Sequence, residues 1–537
     1  MNINMNRREF LGTLAALSQL PNITNAAAFT EGSSNRPNIL FIMTDQLRYD
    51  CIGANGNDII QTPNLDRLAS QSANFTHAFV QSPVCTPSRA CYFSGRYAHS
   101  HRNRVNYTLL DKSEKLLPAY LQQAGYKTAS IGKLHLDYNY PPSADEAKNL
   151  GFDIVERHDG VSFTDEWSDY VKWRNQRDPL KDIYYRSTVR SVEKLRKNLP
   201  PDANPFRAVI DEQYTDTTWV RVRTRYWLEK LTKSRKPFFL FSSIWKPHGP
   251  FEVPVPYDSM YNDIQIPLPK KVTMEDIKRM PLPVQKHALL SNSKNPPDYF
   301  NYMMDLNRLQ WIYRSYYGAV SHIDREVGLI LDTLEQSGQK DNTIIIFCSD
   351  HGDLLNEHGI MGKNVFFESS INVPLMIYHP KKIQAGRYSE LIETVDVLPT
   401  LFELIGLSEP LNCQGRSFAP LISNISKSYI PNEQVFSENI IPSVVTRHGY
   451  DCEFEKGTGV LGIRHPDAKM IRTDRWKYNY YPDYDGELYD LQNDPLENHN
   501  LFNDPKYKSI CEDLKERILY WLITASETDQ IAPKWLL

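Results

Sequence analysis

The chain has 537 residues, 41% of them hydrophobic and 23% charged, with a formal net charge of −4. That length exceeds what one core usually supports, so one large domain with a smaller one is expected. The near-neutral balance gives no global basic field for a polyanion such as nucleic acid, and any anion site must be local.

The N-terminus reads as a leader. Arg7 and Arg8 stand before Phe10 and Leu11, an apolar run continues to Leu20, and Ala26–Ala28 are small. The run is too short to span a bilayer and matches an export signal over residues 1–28. The paired arginines resemble a twin-arginine signal, which exports folded proteins, so an exported, periplasmic or extracellular protein is expected. No later segment is long and apolar enough to be a membrane span. The seven cysteines, at 51, 85, 91, 348, 413, 452 and 511, match no zinc-ribbon or redox spacing. Should chemistry consume Cys85, six remain; an oxidising compartment permits disulfides, whose pairing sequence does not specify.

Four apolar runs end abruptly on polar residues: Asn38–Asp45, Tyr126–His135, Pro237–His248 and Asn342–His351. Near-continuous apolar runs of this length predict buried strands of a parallel sheet. From Arg308 to Gln336, apolar residues recur at helical spacing, and Gly338 closes the pattern. Strands alternating with helices give an α/β class with a large, mostly parallel sheet sandwiched by helices. Residues 137–235 read as decorated loops and amphipathic helices rather than core, and 250–301 as a second irregular stretch; long insertions of this kind shape access. Past Pro420 the pattern changes to a smaller α+β subdomain. There Met470–Tyr480 and Glu487–Leu491 predict antiparallel strands, and Leu514–Ile523 a closing helix. The expected division is 36–420 for the main domain and 421–537 for the subdomain.

Ligands of such sheets gather beyond the carboxyl ends of the strands. The four strands deliver Asp45 and Gln46, Lys133 and His135, His248, and Asp350 and His351 there. Two carboxylates, an amide oxygen and an imidazole suit a divalent cation, with oxygen favouring a hard ion and the histidine a transition metal. Taken singly, each Asp reads better as a helix cap; taken with Cys85, the cation site is the preferred reading. Cys85 stands before Thr86, Pro87, Ser88 and Arg89. Pro87 marks a place where a helix can begin, and helix N-termini attract anions and lower thiol pKa values. Arg89, one turn in, suits an oxyanion.

Cys85-Thr-Pro-Ser-Arg89 resembles the C-x-P-S-R motif of type I sulfatases, members of the alkaline phosphatase superfamily. Further matches follow in the family's order: Phe41–Gln46, Thr62–Leu68, Ser94–Tyr97, Gly132–His135, Pro247–Pro250, Ser349–Gly352, Met361–Lys363, and Glu487–Pro495 with Glu497, Asn500 and Leu501. The resemblance implies an alkaline-phosphatase-like fold and a formylglycine made from Cys85 by a maturation enzyme. It also implies one divalent cation, usually Ca²⁺, held by Asp45, Gln46, Asp350, His351 and residue 85. Many members carry Asp-Asp and Asp-Asn where this chain has Asp45-Gln46 and Asp350-His351; both variants occur in the superfamily.

The implied roles are specific. Hydrated formylglycine attacks sulfur while the metal and Asp350 help remove its proton. Arg89, Lys133 and Lys363 hold the sulfate oxygens. His248, with Lys363, protonates the leaving oxygen, and His135 takes the second hydroxyl proton. Arg102 and Arg104 offer contacts to a second sulfate or a uronate of a sulfated carbohydrate, or else form ordinary salt bridges. A phosphonate monoester or phosphodiester hydrolase, and a sulfated-glycan-binding protein without catalysis, are the alternatives. The sequence does not specify the sugar, the sulfated position or the oligomeric state.

Overall fold

The computed structural model describes residues 36–525 apart from 107, 109, 112, 137–147, 161–166, 179–205, 209, 291–303, 425–427, 442–444, 447–448 and 451–466. The leader and Cys452 lie outside the described residues. Arg36–Leu537 forms one compact unit, so the C-terminal sheet is a subdomain of the same body.

The main sheet has eight strands: β1 (Asn38–Asp45), β2 (Ala73–Phe75), β3 (Lys127–Gly132), β4 (Ile154–Arg157), β5 (Phe238–Pro247), β6 (Thr343–Ser349), β7 (Leu375–Tyr378) and β8 (Gly386–Tyr388). Their order is β4-β3-β5-β1-β6-β7-β2-β8. Only β7 runs against the others, pairing antiparallel with β6 and β2. Every residue of β1 and β6 is buried. Both faces of each strand are covered, which is why their sequences are unbroken apolar runs rather than alternating ones. Ile39, Phe41 and Met43 enter one core with Tyr92 and Leu401. Leu40 and Ile42 enter the other with Leu65, Trp219 and Val327. Helices α1 (Pro63–Ser70), α3 (Asp216–Leu231) and α4 (Leu306–Gln336) therefore cover one face, and α2 (Cys85–Ser94) and α5 (Val397–Ile405) the other.

One expectation needs correction. The stretch 137–235 includes core structure, because α3 buries Trp219, Val220, Leu228 and Leu231. Its apolar stripe is hidden in sequence because Thr217, Thr218 and Thr224 share the buried face. Thr224 and the buried Ser242 of β5 satisfy each other at 2.8 Å, so a polar pair occupies a core position without an unpaired hydroxyl.

The C-terminal sheet is antiparallel, in the order β9 (Gln434–Ile440), β10 (Asp467–Thr473), β11 (Trp476–Tyr480), β12 (Glu487–Asp490). Helix α6 (Lys508–Thr524) closes it with Cys511, Leu514, Ile518 and Trp521. Among the described residues no helix is long and apolar enough to cross a membrane.

Candidate active site

Strand register assembles the site. Thr44 of β1 stands opposite Ser349 of β6, so Asp45 and Asp350 leave the sheet side by side. Gly132 of β3 pairs with Ser243 of β5, which brings Lys133 to the same level. A register shift after Thr44 sets Pro247 opposite Asp45 and brings the adjoining His248 to this edge. Each chemical residue is the first polar step beyond a buried strand, which is where an α/β sheet holds its ligands.

Cys85 is the first residue of α2, with extended Val84 as its cap. The helix begins two residues earlier than Pro87 suggested, and the thiol itself stands at the N-terminus. Its Sγ lies 2.8 Å from Lys363 Nζ and 3.2 Å from His351 Nε2. Asp45, Cys85, Asp350 and His351 are all buried, and one ligand atom of each lies within 4.8 Å of the others. Burial opposes a charged thiol, but Lys133, Lys363 and His351 overcome it, with Asp45 acting against them, and hold Cys85 well below the usual thiol range. Burial likewise opposes ionisation of Asp45, yet the ammonium groups of Lys133 and Lys363 hold it well below the usual carboxylate range.

The histidines are oriented by carbonyls. His351 Nδ1 donates to Gly352 O at 2.9 Å, and His248 Nδ1 to Gly249 O at 2.7 Å. A carbonyl only accepts, so Nδ1 carries the hydrogen in both rings. In His351 this turns Nε2 to the cluster, 3.0 Å from Lys363 Nζ. Burial, then Lys363, push His248 down to about 3, so its ring is neutral near pH 7. His248 stacks on Trp245 with ring centres 5.6 Å apart. Trp245 also lines a small pocket with Tyr170, Lys246 and His322.

The expected residues come together unequally. Lys133 Nζ bonds to Asp45 Oδ2. Lys363 Nζ reaches Gln46 Oε1 at 3.0 Å. His135, half-buried, lies with Nδ1 3.4 Å from Thr86 Oγ1. Arg89 is held from behind. Its side chain is fully buried, with Nε on Asp350 Oδ2 at 2.8 Å and Nη1 on Lys133 O and Ser243 Oγ, both at 2.9 Å. Among the described residues Nη2 has no hydrogen-bond partner and lies 4.0 Å from Asp45 Oδ2, so the guanidinium props the carboxylates and keeps one nitrogen unpaired beside the cluster. Arg104 also turns inward, bonding to Asp467 and lying 3.2 Å from Glu438. Its charge is matched within the protein, which is the salt-bridge alternative. Arg102 is exposed, with φ 63°.

Ser243 and Asp353 escaped the sequence reading. Ser243 ends an apolar run and carries no motif signal. Asp353 stands two residues after His351 but buries its carboxylate beneath Gln46, a contact that only folding makes. The six described cysteines, 51, 85, 91, 348, 413 and 511, are all free.

A family model described as Sulfatase matches residues 37–407, and one described as N-sulphoglucosamine sulphohydrolase, C-terminal, matches residues 463–522. The chain is 29% identical over 517 residues to an arylsulfatase of Clostridium perfringens, covering 90% of this chain and 94% of that protein. It is 28% identical over 534 residues to an N-acetylglucosamine-6-O-sulfatase of Bacteroides thetaiotaomicron, covering 94% and 88%. Its fold is similar to that of a phosphonate monoester hydrolase from Silicibacter pomeroyi, with a TM-score of 0.75 and 23% identity over 92% of this chain and 96% of that one.

Proposed function

The chain belongs to the sulfatase family, a sulfate ester hydrolase of alkaline-phosphatase-like fold, and on that premise we propose that it desulfates a carbohydrate using formylglycine made from Cys85 and one divalent cation. One observation carries the reading: Cys85 opens a helix while two carboxylates, an imidazole and two ammonium groups converge on its side chain. A reactive centre at a helix N-terminus ringed by cations suits an anionic ester.

The donor set fits a cation. Lys363 Nζ already occupies a position 2.8–3.0 Å from Cys85 Sγ, His351 Nε2 and Gln46 Oε1, so these atoms accept positive charge. Asp45, Gln46, Asp350 and His351 would hold the ion, and the oxygen-rich set suits Ca²⁺. When bound, the ion supplies Lewis acidity that stabilises negative charge on oxygen. Formylglycine at position 85 supplies an oxygen nucleophile, and the maturation enzyme that acts on Cys85–Arg89 is the required partner.

The chain's own residues do the rest. Lys133 and Lys363 bring ammonium groups to the sulfate oxygens, where charge redistributes in the transition state. Arg89 acts behind them by holding Asp350 in place to accept a proton. His135 is the second proton acceptor, beside Thr86 at the helix start. His248 rests with an unprotonated Nε2, so it takes up a proton from solvent before giving that proton to the leaving oxygen. The Trp245 ring, stacked on His248, offers an aromatic face beside the leaving group, which suits a sugar. Arg102, on the exposed side, remains a substrate contact in this reading. The leader would carry the folded enzyme out of the cytoplasm.

The test compares wild-type and Cys85→Ala enzyme on a panel of sulfated oligosaccharides, with matched aryl sulfate and aryl phosphonate esters. The expected result is sulfate release by wild type, loss in the variant, and a wild-type intact mass showing conversion of Cys85. Full activity in Cys85→Ala overturns the nucleophile. Faster turnover of the phosphonate ester favours the phosphonate hydrolase, and tight glycan binding without turnover favours the binding protein.

A further inference from the structure

Asp353 has no part in the roles above, yet its fully buried carboxylate joins two of them. One oxygen, Oδ1, accepts from the backbone N–H of Leu355 at 2.8 Å and of Gly362 at 3.0 Å. The other, Oδ2, accepts from Gln46 Nε2. Gly362 directly precedes Lys363, whose ammonium donates to Gln46 Oε1 at 3.0 Å. A single carboxylate therefore grips both the Gln46 amide and the turn that carries Lys363.

A glutamine amide has a donor end and an acceptor end of nearly equal shape. Only the oxygen end can ligate a cation. Asp353 as a carboxylate only accepts, so it takes the NH₂ end and leaves Oε1 facing Cys85, His351 and Lys363. Gln46 is further fixed by its backbone. Its N–H donates to Asp350 Oδ1 at 3.1 Å, its carbonyl accepts from Tyr316 at 2.6 Å, and its φ is 71°.

We propose that Asp353 is a positioning residue that fixes the sense of the Gln46 amide, so that the cation site presents oxygen and not NH₂. The proposal rests on the reading of Gln46 as a cation ligand. Asp353→Asn isolates the effect. The Asn oxygen retains both backbone hydrogen bonds, but its NH₂ now meets Gln46 Nε2. Two donors face each other, and the Gln46 amide turns over. Adding Gln46→Glu restores an acceptor on each side at unchanged net charge, because a carboxylate has no donor end.

Ca²⁺ is titrated calorimetrically into chelator-treated, full-length wild type, Asp353→Asn and the double variant Gln46→Glu/Asp353→Asn, and metal-free thermal unfolding is followed in parallel. Asp353→Asn is expected to lose about 10- to 100-fold in Ca²⁺ affinity, the usual effect of removing a group that orients a ligand. Its metal-free unfolding midpoint should stay near wild type, and the double variant should recover most of the affinity. Unchanged affinity in Asp353→Asn, or a double variant as weak as the single one, overturns the proposal. If Asp353→Asn does not fold, the double variant decides in the same way, with strong binding supporting the role and weak binding overturning it. A wild type whose Ca²⁺ binding is indifferent to Asp45→Ala overturns the cation site itself, and this role with it.

Discussion

Replacing Arg89 by lysine tests whether this residue is a prop or an anion receptor. The guanidinium reaches three acceptors from two of its edges: Asp350 Oδ2 at 2.8 Å, and Lys133 O and Ser243 Oγ at 2.9 Å. All of this happens at a fully buried side chain. Lysine keeps the charge but carries one ammonium at the tip of a flexible stem, which cannot reproduce the planar fork. It can satisfy one of the three acceptors well. Each buried polar group left without its partner costs about 1–3 kcal/mol, so two cost about 2–6 kcal/mol. Asp350 also loses its fixed orientation, and a misplacement of about 1 Å at a reacting group can cost on the order of 10²-fold in rate. Urea unfolding and sulfate-release kinetics on the purified Arg89→Lys enzyme measure both effects. A prop predicts a stability loss in that range and a fall in kcat larger than any rise in KM, whereas an anion contact through the unpaired Nη2 predicts mainly a raised KM. A variant as stable as wild type, with only KM raised, would refute the buried-prop account.

Other outcomes follow from particular contacts. Gly132 has φ 98°, and a Cβ there would lie 1.9 Å from Ser243 O. Gly132→Ala should therefore push β3 from β5, displace Lys133, and cost about 3 kcal/mol or more in thermal unfolding together with most of the activity; a stable, active variant would contradict the strand register. Burial and the neighbouring Asp396 push Glu393 up to about 8. A raised carboxyl pKa gives stability that is full below the ordinary value near 4.5 and lost as pH rises through about 8. Glu393→Gln should flatten this decline, so that its unfolding midpoint gains on wild type between pH 5 and 9; parallel curves would exclude it. Chelation should abolish sulfate release and lower the unfolding midpoint, because Asp45 and Asp350 lose a shared cation, with Ca²⁺ restoring both. Full activity after exhaustive chelation would remove the ion from the reaction.

Much of this molecule was written locally. Strands β1 and β6 are buried on both faces, so their sequences had to be unbroken apolar runs, and the residues that end them stood out as Asp45 and Asp350. The order of short motifs around Cys85, Lys133, His248 and Lys363 carried the family, because chemistry demands those residue types whatever the surroundings. Tertiary structure decided what depends on a second segment. Helix α3 joined the core through Trp219, Val220, Leu228 and Leu231, and the threonines that hid this stripe are tolerated there because Thr224 meets Ser242 of the next strand. Arg104 read as either a substrate cation or a salt-bridge partner until Glu438 and Asp467 arrived from distant strands to neutralise it, and Asp350 gave Arg89 a buried partner that its motif does not reveal. Asp353 drew no notice as one more acidic residue, since its effect lies in which end of Gln46 it holds. A side chain's type limits the hydrogen bonds and charges it can offer, but its partner determines which of them is used, and partners far apart in the chain meet only on folding.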